Sequence, residues 1–198
     1  MRLLLATHND HKAREFERLL ADGSERIELD VLDRGFELPP EDGETFVENA
    51  LGKARAAAAG LGRVAIADDS GIEAEALGGA PGVRSARYAG EQASDGENLA
   101  KLLREAPAGS GLAYVCAVAY VDPDSGEERV VCGRCTGTLA ERPRGERGFG
   151  YDPAFLPDDG PAGLTMAELS DEQKDAISHR GRAARALLDS LGLGPTAG

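Results

Sequence analysis

The chain has 198 residues, 41% of them hydrophobic, three cysteines and a formal net charge of −13. That length can bury roughly 70% of the unfolded surface, and the apolar content is too ordinary for a disordered chain. The acidity disfavours nonspecific binding to nucleic acid or anionic membrane, no apolar run reaches the ~20 residues of a membrane helix, and an odd cysteine count argues against a disulfide framework.

Residues 3–6 read as a buried first strand. The segment is too short for a signal peptide, so cytoplasm is the expected location. From Asp10, the apolar residues Ala13, Phe16, Leu19 and Leu20 recur at helical spacing, predicting a helix that ends near Gly23. Residues 27–32 alternate as a second strand, and 33–44 form a Gly/Pro/acid loop. Residues 45–59 are alanine-rich and helical, with Gly60 as C-cap. A short buried strand at 64–67 is expected to stop at Asp68 and Asp69. A Ser70-Gly71 turn follows, then a new strand in which Ile72, Ala74 and Ala76 alternate with Glu73 and Glu75. The glycine-rich stretch 77–82 is read as shaping the site or a dimer contact. Ser94-Asp95-Gly96-Glu97 is a capping box for a helix to about Ala106. Residues 112–121 and 129–139 form an antiparallel hairpin about the turn at 122–126. Residues 141–163 are a long Gly/Pro loop, and Ser170 with Gln173 opens one C-terminal helix to about Leu191. The pattern predicts a mixed α/β sheet in a single domain spanning 1–198, without repeats or linkers.

Five clusters bear chemistry. Thr7-His8-Asn9-Asp10-His11-Lys12 lies between the first strand and its helix, where backbone N–H groups welcome a phosphate. Thr7 and Asn9 can donate hydrogen bonds and Lys12 can meet a phosphate oxygen. The same hexamer also reads as a polar turn capped by Asn9. Glu41, Asp68 and Asp69 are hard oxygen donors suited to magnesium, or solvated acids. A regular strand turns Asp68 and Asp69 to opposite faces. Gly148-Phe149-Gly150-Tyr151-Asp152-Pro153 offers an aromatic loop for stacking on a base, or a loop pinned by aromatics. Lys174 and Ser178-His179-Arg180 put polar donors on a helix that should be amphipathic. His179 and Arg180 can donate to a carbonyl. Cys132-Gly133-Arg134-Cys135 has no second pair, which favours ordinary cysteines over zinc or redox chemistry.

Six blocks in this order resemble the inosine/xanthosine triphosphate pyrophosphatases, which hydrolyse non-canonical purine nucleoside triphosphates. The blocks are Ala6-Thr7-x-Asn9-x-x-Lys12-x-x-Glu15, then Thr45-Phe46-x-Glu48-Asn49-Ala50-x-x-Lys53-Ala54, then Asp68-Asp69-Ser70-Gly71. They continue with Leu77-Gly78-Gly79-Ala80-Pro81-Gly82-Val83-x-Ser85-Ala86-Arg87-Tyr88, then Gly148 to Pro153, then Ala167-Glu168-Leu169 through Lys174 to Ser178-His179-Arg180-Gly181. The resemblance implies an elongated single-domain α/β fold, a twisted mixed sheet flanked by helices, a cleft between two lobes and a homodimer. It implies magnesium-dependent cleavage of ITP, dITP or XTP to the monophosphate and pyrophosphate.

By the same resemblance the hexamer Thr7, His8, Asn9, Asp10, His11 and Lys12 belongs to the substrate site, with Thr7, Asn9 and Lys12 on the phosphates. Asp69 is the general base and also a metal ligand, and Ser70 a substrate contact. Phe149, Gly150, Tyr151, Asp152, Lys174, His179 and Arg180 form the nucleoside-binding set. The family often carries two adjacent glutamates where this chain reads Pro40-Glu41-Asp42-Gly43, which leaves Glu41 as the other metal ligand and Asp42 as its alternative. A pyrophosphatase for another modified or canonical nucleotide, or a nucleotide sensor without turnover, are the rival classes.

Overall fold

The computed structural model describes residues 1–23 and 27–194. In chain order the elements are β1 (Arg2–Leu5), α1 (Asp10–Gly23), β2 (Glu28–Val31), α2 (Phe46–Leu61), β3 (Ala65–Ala74), α3 (Asp95–Glu105), β4 (Gly111–Val121), β5 (Glu128–Leu139), β6 (Phe155–Pro157), α4 (Asp171–Ile177) and α5 (His179–Ser190). The six strands form one sheet in the order β2-β1-β3-β4-β5-β6. It is mixed, as the alternation of elements predicts: β1 runs parallel to β2 and to β3, and β5 antiparallel to β6. The β1-α1-β2 segment is a parallel crossover, in which α1 carries the chain back to the end of the sheet where β1 began.

The fold divides into two compact units. The first comprises residues 1–69, 116–133 and 180–198, of which 1–23, 27–69, 116–133 and 180–194 are described. Its core joins Leu3 and Leu5 of β1, Phe16 and Leu20 of α1, Ile66 of β3, Val118 of β4 and Leu187 and Leu188 of α5. The second comprises residues 70–115 and 134–179. Its core joins Ile72 of β3, Leu99 and Leu102 of α3, Leu112 and Tyr114 of β4, Leu139 of β5 and Phe155 of β6. Strands β3, β4 and β5 contribute residues to both units.

Four sequence expectations are corrected. The cap of α2 is Gly62, in the left-handed region at φ 59°, not Gly60. The loop at 141–163 contains β6 and a short 3-10 turn at Asp152–Ala154. The predicted C-terminal helix is two helices: Ser178 adopts extended backbone (φ −65°, ψ 154°), ending α4, and α5 starts at the next residue. The Ser178 N–H still donates to the Lys174 carbonyl at 2.8 Å, so the break falls after Ser178 and the face does not continue into His179 and Arg180. The largest correction concerns Ser70-Gly71, which is not a turn. One ten-residue strand, β3, runs straight through Asp68, Asp69, Ser70 and Gly71. A strand end is the cheap place for carboxylates because water solvates them there. Here both acids are buried, so the partners must come from other elements.

Candidate active site

In the first unit those partners come from α1, α2 and α5. Asp68 Oδ2 lies 2.9 Å from Lys12 Nζ and 3.4 Å from Arg180 Nη2. Arg180 is 1% exposed, and its Nη1 donates to Glu15 Oε2 at 2.6 Å. Burial alone favours the neutral acid, but Lys12, Arg180 and Lys53 outweigh it and hold Asp68 well below the usual carboxylate range. Cys116 Sγ approaches the same oxygen at 3.8 Å, and burial with the Asp68 charge pushes its thiol far up. This cysteine is therefore not a nucleophile at neutral pH.

Asp69 has the opposite balance. Asn49 Nδ2 donates to its Oδ2 at 2.8 Å, and Asn49 Oδ1 accepts from the Gly43 N–H at 2.8 Å, so one amide ties β3 to the loop carrying Glu41. Burial raises the Asp69 pKa, Glu41 adds to it, and Lys53, Lys12 and Asn49 only partly offset the rise. Lys53 is buried and pairs with Glu41. Burial works against its charge, but Asp68, Glu41 and Asp69 together raise its pKa. Glu41 itself is lowered: burial opposes ionisation, and the Lys53 and Lys12 charges win.

The α2 helix can deliver these groups because Asn49 and Lys53 sit four residues apart, on the buried stripe with Phe46, Ala50, Ala54 and Ala57. Thr45 and Glu48 form the capping box that starts this helix. Two polar residues inside an alanine-rich stripe were the sequence signal for a site on α2. Sequence reasoning quoted both residues within a matching block and assigned neither a role.

At the start of α1, Asn9 Oδ1 accepts from the N–H groups of His11 (2.9 Å) and Lys12 (3.1 Å), and Thr7 Oγ1 accepts from Asn9 N–H (3.2 Å). Asn9 thus caps the helix, as the polar-turn reading required. Asp10 is exposed and makes a bidentate pair with Arg34 at 2.6 and 2.7 Å. His8 and His11 are exposed. Within the hexamer, the Lys12 side chain pairs with Asp68 of β3.

The second unit gathers the aromatic loop around Asp152. This buried carboxylate accepts from Lys174 Nζ (2.7 Å) and the Phe149 N–H (3.0 Å) on Oδ2, and from the Tyr114 hydroxyl (3.0 Å) on Oδ1. The Lys174 ammonium lies 5.2 Å from the Phe149 ring centroid. Tyr151 is buried and donates its hydroxyl to the Ser85 carbonyl at 2.7 Å, while Gly150 N–H donates to Asp95 Oδ2 at 2.8 Å. Ser70 is half-buried at the start of this unit. His179, the last residue of the unit, stacks on Tyr114 with ring centroids 4.5 Å apart and planes 8° apart. The structure so brings together Phe149, Asp152, Lys174 and, through Tyr114, His179. Arg180, expected in the nucleoside-binding set, pairs with Glu15 and Asp68 of the first unit.

Gly148 is required in this loop. Its φ is +72°, and an added Cβ would sit 2.1 Å from Asp152 Oδ2. Gly148→Ala is expected to displace Asp152 and raise the KM for the nucleotide by roughly 10-fold with kcat less affected, as steady-state kinetics would measure. An unchanged KM would show that this carboxylate does not organise the binding loop.

Among the described residues no three His, Cys, Asp or Glu side chains form a ready metal cage. Magnesium does not need one, since it binds through one or two carboxylates plus water and substrate phosphate. Glu41 and Asp69 fit that donor set: both are carboxylates, and Glu41 is near enough to disfavour ionisation of Asp69. A divalent cation at this position would relieve the repulsion.

The Ham1 family model matches residues 3–190. A "dITP/XTP pyrophosphatase" of Mycolicibacterium paratuberculosis is 49% identical, covering 96% of this chain and 95% of that protein. A protein of the same description from Cutibacterium acnes is 45% identical, covering 96% of each. Among solved structures, a HAM1 protein from Coxiella burnetii superimposes with a TM-score of 0.84 at 38% identity, covering 97% of this chain and 98% of that one.

Proposed function

This chain belongs to the Ham1 family, and from that premise we propose that it hydrolyses non-canonical purine nucleoside triphosphates (dITP, ITP and XTP) to the monophosphate and pyrophosphate. One observation supports the chemistry above the others. Two adjacent buried carboxylates on β3 are driven in opposite directions, Asp68 down by Lys12 and Arg180, Asp69 up by burial and Glu41. Such divergence separates a charge-holding acid from a group with affinity for a proton, which is what a general base needs.

In the proposed reaction a water oxygen bonds to the α-phosphorus while the bond to the bridging oxygen breaks. Pyrophosphate leaves with the electron pair, and Asp69 takes the water's proton. Asn49 holds Asp69 in place. Lys12 shares its charge between Asp68 and the incoming phosphates, offsetting negative charge as it moves onto the leaving group. Glu41 and Asp69 would hold magnesium, which when bound acidifies water and polarises phosphate oxygens. On the second unit, Phe149 stacks on the base, and Lys174 and His179 donate toward it. A 6-oxo purine accepts a hydrogen bond where adenine's 6-amino group presents another donor, and a donor facing a donor is left unpaired. Arg180 is reassigned from the base to the charge network of Asp68.

The family resemblance supports one catalytic domain over 1–198 that works in the cytoplasm as a homodimer on a free nucleotide. No described helix is long and apolar enough to cross a membrane. Pyrophosphate release with magnesium, measured on dITP, XTP, dATP and dGTP, tests the proposal. The expected kcat/KM for dITP exceeds that for dATP by at least ~10³-fold. Comparable values, or orthophosphate as the product, would overturn it.

A further inference from the structure

Tyr114 was not part of any motif in the sequence. It lies on β4 among residues that read as plain core, and it is 6% exposed. Its two ends do different things. The hydroxyl donates to Asp152 Oδ1 at 3.0 Å, and the ring face carries the imidazole of His179, nearly parallel at 4.5 Å. The ring also packs on Phe155, with centroids 4.7 Å apart and planes tilted by 39°. Asp152 is in turn the acceptor for Lys174 and for the backbone of Phe149. Tyr114 therefore links the Phe149–Asp152–Lys174 cluster to His179, by its hydroxyl on one side and its ring face on the other.

We propose that Tyr114 is a positioning and specificity-determining residue: it fixes the plane of the His179 ring, and with it the direction of the donor that distinguishes a 6-oxo from a 6-amino purine. This rests on the reading of His179 as a base contact. A stacked partner of 8° interplanar angle restricts rotation of the imidazole about its outer torsion, which is otherwise broad. A hydrogen bond loses most of its strength when its donor swings far off axis, so losing the stack removes discrimination without removing the donor. The hydroxyl does a second job. It fixes Tyr114 by its contact with Asp152, on a strand anchored in the sheet, and a rigid element holds a site better than a loop does.

The test compares Tyr114→Leu, Tyr114→Phe and His179→Ala by kcat/KM on dITP and dATP, with thermal melting of each. Wild type is expected to prefer dITP. Tyr114→Leu should lower kcat/KM for dITP by roughly 10-fold, chiefly through KM, and leave dATP nearly unchanged, so that the ratio falls by about the same factor, in the direction of His179→Ala. Tyr114→Phe keeps the stack and should restore most of the ratio. Equal losses on both substrates, in step with a lowered melting temperature, would make Tyr114 a core residue only and overturn the proposal. So would a Tyr114→Leu enzyme that keeps wild-type discrimination while His179→Ala loses it. If His179→Ala itself keeps full discrimination, the base assignment of His179 fails, and the proposal that depends on it fails for that distinguishable reason.

Discussion

Asp69→Asn is expected to reduce kcat on dITP by at least ~10³-fold while the nucleotide still binds, as rapid-quench kinetics and calorimetry with the then inert substrate would record. The substitution keeps the size and planarity of the side chain, and an amide oxygen can still accept from Asn49, whose Nδ2 now donates to Oδ2 at 2.8 Å. What it removes is the ability to take up a proton and a full negative charge opposite Lys53. Asp68→Asn, one residue away, should behave differently. Asp68 is held ionised by Lys12 and Arg180, so its loss disturbs charge balance and phosphate binding rather than proton transfer. Near-normal turnover by the Asp69 variant would refute its assignment as the base.

Arg180→Met is expected to cost about 3–5 kcal/mol of stability in the free enzyme, read from urea unfolding. The guanidinium is almost fully buried, bonded to Glu15 and near Asp68, with Phe16 5.8 Å from its centre. Methionine fills much of the volume but leaves two carboxylates without their shared cation in a place water does not reach. Arg180→Lys keeps the charge and loses the two-armed geometry, since an ammonium is one point and a guanidinium a planar fork. It should fall between wild type and Arg180→Met. A variant as stable as wild type would mean that the buried Arg180 charge is not needed to balance Glu15 and Asp68.

The elements themselves were largely written in local sequence. The 3.6-residue spacing of Ala13, Phe16 and Leu20 marks α1, the Thr45–Glu48 and Ser170–Gln173 boxes mark the starts of α2 and α4, and the strand-turn-strand pattern of β4 and β5 is plain, because these signals act between residues a few positions apart. The six ordered motifs carried the family. Where local reasoning failed, a distant partner had intervened. Asp68 and Asp69 looked like a strand end because no nearby residue could pay for burying them, yet Lys12, Asn49, Lys53 and Arg180, drawn from three helices, allow β3 to continue through them. Lys174 through Arg180 looked like one continuous helix until the extended backbone of Ser178 divided it.

The amino-acid order by itself determined which chemistry is present: the acids, the lysines, the aromatic loop and the helices that hold them. Only the tertiary structure decided how each group is charged and what it touches. It made Asp69 the acid with the raised pKa and Asp68 the charge-holder, gave Arg180 to Glu15 and Asp68, and set Tyr114 between Asp152 and His179 in the contact network. The reason is physical: propensity and periodicity act within a few residues, whereas burial and charge pairing depend on neighbours that are up to 165 positions apart in this chain.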